Sequence, residues 1–363
     1  MHQPMVGALP PAAARPQRAA CHRMPTTPLT LIVGRYRADS GRSARLGKSF
    51  ALDGDGWEGG VVHVDISNGI VLEYDTFGDP QDPAILLIMG FGTQLLGWDA
   101  EFCRLLASRG HYVIRYDNRD CGLSTKYDDV PVDLMDFIGA VTSGDVDRAQ
   151  AMSPYTLRDM ASDGIALLRE LGVDRAHVVG SSMGGMIAQK IAAVFPDHVL
   201  SLTSMMSTTG EPEYGQSTPE AQQVLFSPRP ADRAGYVAAA ERELAWASRK
   251  YGDPATLRAL AAASYDRSYY PAGVPRQLAA MILDGSRADA LRALEVPTLV
   301  IHGLDDTLID PSGGERTAEL VPGARLVLIE DMGHDRPRAL WPQLVDAIQE
   351  HTERGTRLPG RGE

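Results

Sequence analysis

Two adjacent serines, Ser181 and Ser182, stand in the run VVGSSMGGMIAQK (178–190), between a stretch that reads as a strand and one that reads as a helix. A serine hydroxyl attacks a carbonyl only where the backbone exposes its Oγ and a neighbouring base takes its proton. The segment Gly180-Ser181-Ser182-Met183-Gly184 fits G-x-S-x-G with Ser182 at the centre. That motif asks for a tight strand-to-helix turn with a strained central residue, its Oγ raised at the strand's C-terminal end. Glycines two before and two after are needed because side chains there would collide across the turn. Centring the motif on Ser181 would require glycines where the chain has Val179 and Met183. Ser182 is therefore the candidate nucleophile, and Ser181 is expected to point into the sheet or to fix the turn. The N–H of Met183, opening the helix, has no helical acceptor and is a candidate oxyanion donor. Small residues also cluster in catalytically idle turns, so the reading needs partner residues.

On this kind of scaffold the partners follow in the order serine, acid, histidine. LDDTLIDPSGG comes directly after the strand-like PTLVIHG (297–303) and holds Asp305, Asp306 and Asp310. A loop there lies at the C-terminal edge of a parallel sheet, where ligands bind. Asp306, three residues past Gly303, is the preferred acid; Asp305 remains open, and Asp310, before Pro311, also suits a turn or helix cap. The base is expected at His334, in DMGHDRP after the last strand-like run, beside a glycine that permits a sharp bend. His63, His111, His177 and His198 fall at strand beginnings, on the wrong edge, and His302 reads as a packed core residue inside a strand. In such a triad the histidine takes the serine proton and the aspartate fixes its tautomer. A second oxyanion donor is expected from MGFGTQLLGW (89–98), where Gly90 and Gly92 let the backbone approach a substrate and Phe91 supplies the N–H.

These residues need a frame that brings them to one edge. VVHVDI (61–66) and IVLEYDTF (70–77) around SNG read as a hairpin. AILLIMG (84–90) is nearly all apolar, as befits a strand buried on both faces, and HYVIRYD (111–117), AHVVGS (176–181), VLSLTSMM (199–206), PTLVIHG and ARLVLIE (324–330) continue the series. Helical patterns fall between them, near 98–108, 155–171 (opened by Pro154, ended by Gly172), 183–195, 314–320 and 338–351. The alternation predicts an α/β fold, a mainly parallel sheet with helices on both faces. It stops for roughly 80 residues after strand six, where 209–289 reads as a helical cap, its clearest helix in ADRAGYVAAAERELAWASRKYG. The core is then 61–208 plus 290–353, with a flexible tail at 354–363. Trp246, Tyr265, Tyr269 and Tyr270 are candidates for a hydrophobic substrate pocket, although aromatics at this spacing also build lid cores. The connection 126–153 is longer than such a fold needs and is expected at the pocket entrance.

With 363 residues, the chain can bury one large core and a small accessory domain. Its formal net charge of −12 argues against nucleic acid as a partner, because phosphate binding needs a basic face. No apolar run approaches a membrane span. Three scattered cysteines (Cys21, Cys103, Cys121) read as free thiols in a reducing compartment, which points to the cytoplasm; Cys121 reads as a small packed residue. Residues 1–60 read as a disordered, basic extension: the first 48 hold eight Lys or Arg against one acid, Asp39. A targeting segment, or a later start at Met24, fits the same composition. Homo-oligomerisation is left open.

LIMGFGTQLLGW, YVIRYDNRDCGLST, YTLRDMASDGIALLRELGVDRAHVVGSSMGGMIAQ and MGHDRP together resemble the α/β-hydrolase superfamily, over about residues 61–353. Within it they are similar to the esterase branch that includes aclacinomycin methylesterase. The resemblance implies an eight-stranded, mostly parallel sheet, a cap after strand six, and cleavage of a small-molecule carboxylic ester. It implies Ser182 as nucleophile, Asp306 as acid, His334 as base, and Phe91 and Met183 as backbone oxyanion donors, with neither metal nor cofactor. Many relatives carry a histidine where this chain has Met89, a change the backbone role survives. Lactonase or cofactor-free perhydrolase (haloperoxidase-type) chemistry on the same triad, and a non-catalytic ligand-binding receptor, are the rival expectations. Halide or epoxide opening is disfavoured, since relatives with that chemistry carry aspartate at the nucleophile position.

Overall fold

The computed structural model describes residues 63–66 and 69–357. The expected basic extension, and residues 358–363 of the expected tail, lie outside them. Eight strands form one sheet: β1 (His63–Asp65), β2 (Val71–Phe77), β3 (Ala84–Ile88), β4 (Tyr112–Tyr116), β5 (Ala176–Ser181), β6 (Val199–Met205), β7 (Thr298–Gly303) and β8 (Arg325–Ile329). Their order is β1-β2-β4-β3-β5-β6-β7-β8. β1 and β2 pair antiparallel, as does β2 with β4, and every later pairing is parallel. The mostly parallel α/β sheet of the sequence reading is thus the observed one.

Every residue of β3 is buried, because helices cover both faces. Alternation then sorts its side chains. Leu86 and Ile88 join one core cluster with Ile165, Ile187 and Ile191; Ile85 and Leu87 join the other with Phe102, Leu106, Leu344 and Ile348. The covering helices are α1 (Ala100–Ala107), α4 (Leu157–Glu170), α5 (Met183–Val194), α11 (Ser312–Leu320) and α12 (Trp341–Arg357), with α2 (Leu134–Thr142) and α3 (Val146–Ala151) between α1 and α4. Local chemistry sets their starts. Asp99 accepts the Glu101 N–H at the head of α1. α4 opens on a capping box of Thr156 and Asp159, not on Pro154 as the sequence suggests; Tyr155 instead donates its hydroxyl to Asp120. Gly172, at φ +71°, lets the chain leave α4.

Between β6 and β7 the chain forms α6 (Pro219–Leu225), α7 (Arg233–Ala239), α8 (Pro254–Ser268), α9 (Gly273–Asp284) and α10 (Ala288–Arg292). Three expectations need correction. ADRAGYVAAAERELAWASRKYG is not one long helix: α7 passes into a 3₁₀ turn at Ala240–Ala245 and helix stops there. The backbone beyond is taken up by another loop, since the Trp246 carbonyl accepts the His334 N–H and the Ser248 N–H donates to Asp335. The 126–153 connection folds into α2 and α3 and packs Phe137, Ala140 and Ala149 against Ala279 of α9, away from the pocket lining. Finally, α12 runs to Arg357 and takes in 354–357 of the expected tail. Its last turn is held because Gly355 lets it approach the Leu200 carbonyl and Thr356 Oγ1 reaches His177 Nε2 at 3.3 Å.

Candidate active site

β5 ends at Ser181, and the next residue, Ser182, has φ +58° and ψ −123°, a region an L-residue occupies only under constraint. The constraint is steric. A Cβ on Gly180 would strike the Gly184 carbonyl across the turn, and one on Gly184 would strike the Ile88 carbonyl at the end of β3. A Cβ on Gly90 would come within 3.1 Å of Ser182 Cβ, so the loop after β3 can lie against the serine only because it carries glycine there. Ser181 turns inward, nearly fully buried, and its Oγ accepts a 2.7 Å hydrogen bond from the Arg336 guanidinium.

The loops after β7 and β8 meet beside it. His334 Nδ1 lies 2.7 Å from Asp306 Oδ2, leaving Nε2 as the ring's other working nitrogen. Asp306 Oδ1 accepts the N–H groups of Leu308 and Ile309, both at 2.9 Å, which fixes the carboxylate plane. Burial pushes this carboxyl's pKa up, but the His334 charge and the hydrogen bonds from His302 and His334 outweigh it and hold it down at about 2. Of the other candidates, Asp305 Oδ2 accepts the Arg249 N–H and Asp310 accepts the Ser312 N–H, so neither serves the histidine. His302 does more than pack. Its Nε2 lies 2.8 Å from the Ile309 carbonyl and 3.4 Å from Asp306 Oδ2, the oxygen that His334 Nδ1 also approaches. Gly333 has no positive φ; the bend falls at Asp331, φ +58°. What Gly333 supplies is space, since a Cβ there would strike the Trp246 carbonyl.

The N–H groups of Phe91 and Met183 have no hydrogen-bond partner among the described residues, whereas their neighbours do: Gly92 N–H donates to Gln277 Oε1 at 2.8 Å and Gly185 N–H to the Ser182 carbonyl at 2.8 Å. Asn118 pins the Met89 carbonyl at 3.0 Å. Sequence reasoning missed Gln277, Asn118 and Arg336. Arg336 is enclosed, its guanidinium 4.3 Å from the Trp98 ring centroid and 2.7 Å from the Gly97 carbonyl. Burial pulls its pKa down to about 10, so it stays a cation near neutrality.

Ser182, His334, Phe91, Gly90 and Trp246 line one cavity of about 770 Å³ between sheet edge and helical insertion. That volume suits a drug-sized small molecule. Tyr265 and Tyr269 do not line it. They pack against Tyr236, tilted and edge-on at 5.6 and 5.5 Å between centroids, and their hydroxyls donate to the Ala231 and Pro230 carbonyls. Of these three tyrosines, only Tyr236 lines the cavity. Tyr270 is likewise outside it, bonded to Asp128 and Arg276. Cys121 is buried and unpaired, with burial pushing its thiol well up.

The family model described as the alpha/beta hydrolase fold matches residues 83–335. The chain belongs to the α/β-hydrolase family. It is an enzyme of that fold. A rhodomycin D methylesterase of Streptomyces sp. (strain C5) is 29% identical over 314 residues, which cover 79% of this chain and 96% of that protein. The crystal structure of a hydrolase from Pseudomonas aeruginosa is similar at a TM-score of 0.58 and 26% identity, over 81% of this chain and 98% of that one. An esterase from Thermogutta terrifontis shares the fold at a TM-score of 0.62 and 23% identity, covering 82% and 99%. Among the described residues no helix is long and apolar enough to cross a membrane, and no group of three or more His, Cys, Asp or Glu could hold a metal ion.

Proposed function

We propose that this α/β-hydrolase cleaves a small-molecule carboxylic ester through an acyl-Ser182 intermediate. The observation that carries the reading is Ser182, strained on its elbow, facing the same cavity as a histidine whose Nδ1 rests on Asp306. His334 takes the Ser182 proton as Oγ bonds to the ester carbon, and the carbonyl oxygen gains a negative charge between the Phe91 and Met183 N–H groups. The tetrahedral species collapses, the C–O bond to the alcohol breaks, and His334 returns the proton to the leaving alkoxide. Water then adds to the acyl carbon, giving a proton to His334; the second tetrahedral species collapses, the bond from the acyl carbon to Ser182 Oγ breaks, and His334 returns that proton to Oγ as the acid leaves. Asp306 stays ionised throughout, stabilising the imidazolium.

The relative named a methylesterase supports a small leaving alcohol, and the cavity supports a bulky acid portion. The free thiols Cys103 and Cys121 support a cytoplasmic place for the protein. The test is turnover of p-nitrophenyl esters of increasing acyl length by wild type, Ser182→Ala and Ser181→Ala. Loss of roughly a thousandfold in kcat for Ser182→Ala, with Ser181→Ala retaining most activity, is the expected result. Activity that survives Ser182→Ala would sink the assignment.

A further inference from the structure

His334 enters the cavity on the loop after β8, and the residues that follow it tie that loop to the rest of the site. Asp335 Oδ1 accepts the Ser248 N–H at 2.9 Å and the Gly333 N–H at 3.2 Å. Arg336, two residues past His334, is held at both ends. Its carbonyl accepts the Trp341 indole N–H at 2.8 Å. Its Nη1 donates to Ser181 Oγ and its Nη2 to the Gly97 carbonyl, both at 2.7 Å, with the Trp98 ring centroid 4.3 Å from the guanidinium carbon. Nη2 also lies 3.7 Å from Met89 Sδ. None of these partners is a carboxylate. They belong instead to two other segments of the site, the end of β5 and the loop after β3.

Each acceptor stands next to a working group. Ser181 precedes Ser182 directly, and Gly97 ends the 3₁₀ turn Leu95–Gly97, which closes the loop that presents Phe91. That loop is folded tightly on itself: a Cβ on Gly97 would come within 2.8 Å of both Met89 Sδ and Thr93 Cγ2, so a shift at Gly97 is passed on to the residues that flank Phe91. Hydrogen bonds from a guanidinium are charge-assisted, and its planar fork fixes the separation of the two acceptors it holds. We propose that Arg336 is a positioning residue that sets the spacing between the base loop, the serine elbow and the oxyanion loop. A displacement of about 1 Å between such groups is enough to cost about a hundredfold in rate. This assignment rests on the ester-hydrolase reading, including the oxyanion role of Phe91.

The experiment measures kcat and KM on p-nitrophenyl butyrate for wild type, Arg336→Met and Arg336→Lys, with kcat expressed per serine labelled to completion by a fluorophosphonate. Arg336→Met is expected to lose about a hundredfold in kcat with KM within about twofold of wild type. Arg336→Lys keeps a cation beside Trp98 but has one nitrogen for two acceptors, so a loss of about tenfold is expected. Ser181→Ala removes one acceptor only and should cost less than either. A wild-type kcat per labelled serine in Arg336→Met, whatever fraction is labelled, overturns the proposal, because the arginine would then only hold the fold together. A change confined to KM overturns it as well, since Arg336 would then only shape the pocket. Should Arg336→Met not fold, the same two readings on Arg336→Lys decide the matter. A wild type that turns over no p-nitrophenyl ester removes the hydrolase reading, and this one with it.

Discussion

At the residue scale, side chains that do not line the cavity contact Asp306 and the loop that carries Phe91. His302 donates from Nε2, since its 2.8 Å partner, the Ile309 carbonyl, can only accept, and the same N–H faces Asp306. Its Nδ1 is buried without a partner, with Gly314 packed close by. Gln277 acts on the other half of the site. Its Oε1 accepts the Gly92 N–H, and its Nε2 donates to the Arg119 carbonyl at 2.9 Å, so one buried amide on α9 holds the loop that presents Phe91. On the proposed oxyanion role of Phe91, Gln277→Leu should lower kcat about tenfold with a smaller change in KM, because the donor is no longer aimed. Gln277→Glu keeps the acceptor for Gly92 and should recover part of kcat. Steady-state kinetics on a p-nitrophenyl ester checks both; a loss confined to KM would argue that Gln277 only shapes the pocket.

At the scale of elements, the insertion is fastened to the sheet by buried ion pairs rather than by apolar contact alone. Arg276 of α9 pairs with Asp120 through Nε at 2.8 Å and a second nitrogen at 2.9 Å. Asp120, at φ +61°, also takes the Tyr155 hydroxyl. Arg267 of α8 reaches Asp117 at 2.7 Å and Glu73 at 3.3 Å. Burial raises the Glu73 pKa to about 7 and also raises that of Asp117, both partly offset by Arg267. Removing one partner of such a pair strands the other charge, which costs more than the intact pair contributes. Arg276→Met should therefore destabilise the protein by about 3–5 kcal/mol in urea unfolding. Arg276→Met with Asp120→Asn should regain part of that loss, since no unpaired charge remains. If the double variant is no more stable than the single one, the stranded charge is not the cause.

At the scale of the whole molecule, the sheet divides two cores, and β3 feeds both. Leu86 faces the α4 and α5 side and Leu87 the α1 and α12 side, each fully buried. Leu86→Ala and Leu87→Ala should each cost about 2–5 kcal/mol by chemical denaturation, because a cavity on either face has no solvent to relax into. A cost below about 1 kcal/mol on one face would mean that its helices can collapse onto the gap.

The strand order along the chain, the elbow around Ser182, the preference for Asp306 and the place of His334 were all legible in the sequence, because each is a local pattern: apolar runs, glycine spacing, and loops directly after strands. Periodicity cannot report what the far end of a side chain meets. Tyr265 and Tyr269 looked like pocket residues, yet their hydroxyls are bound to the backbone, while Tyr236 lines the cavity. The helix expected from 231 onward ends at Ala239, and beyond the 3₁₀ turn the Trp246 carbonyl accepts the His334 N–H rather than an intrahelical one. Gly333 was readable as important but for the wrong reason, close approach rather than a bend. Arg336 and Gln277 gave no signal at all. Their contacts are with partners more than 150 residues away along the chain. Sequence alone determined which residues stand at strand ends; only the folded chain decided which of them share a cavity, because that depends on contacts between segments far apart along the chain.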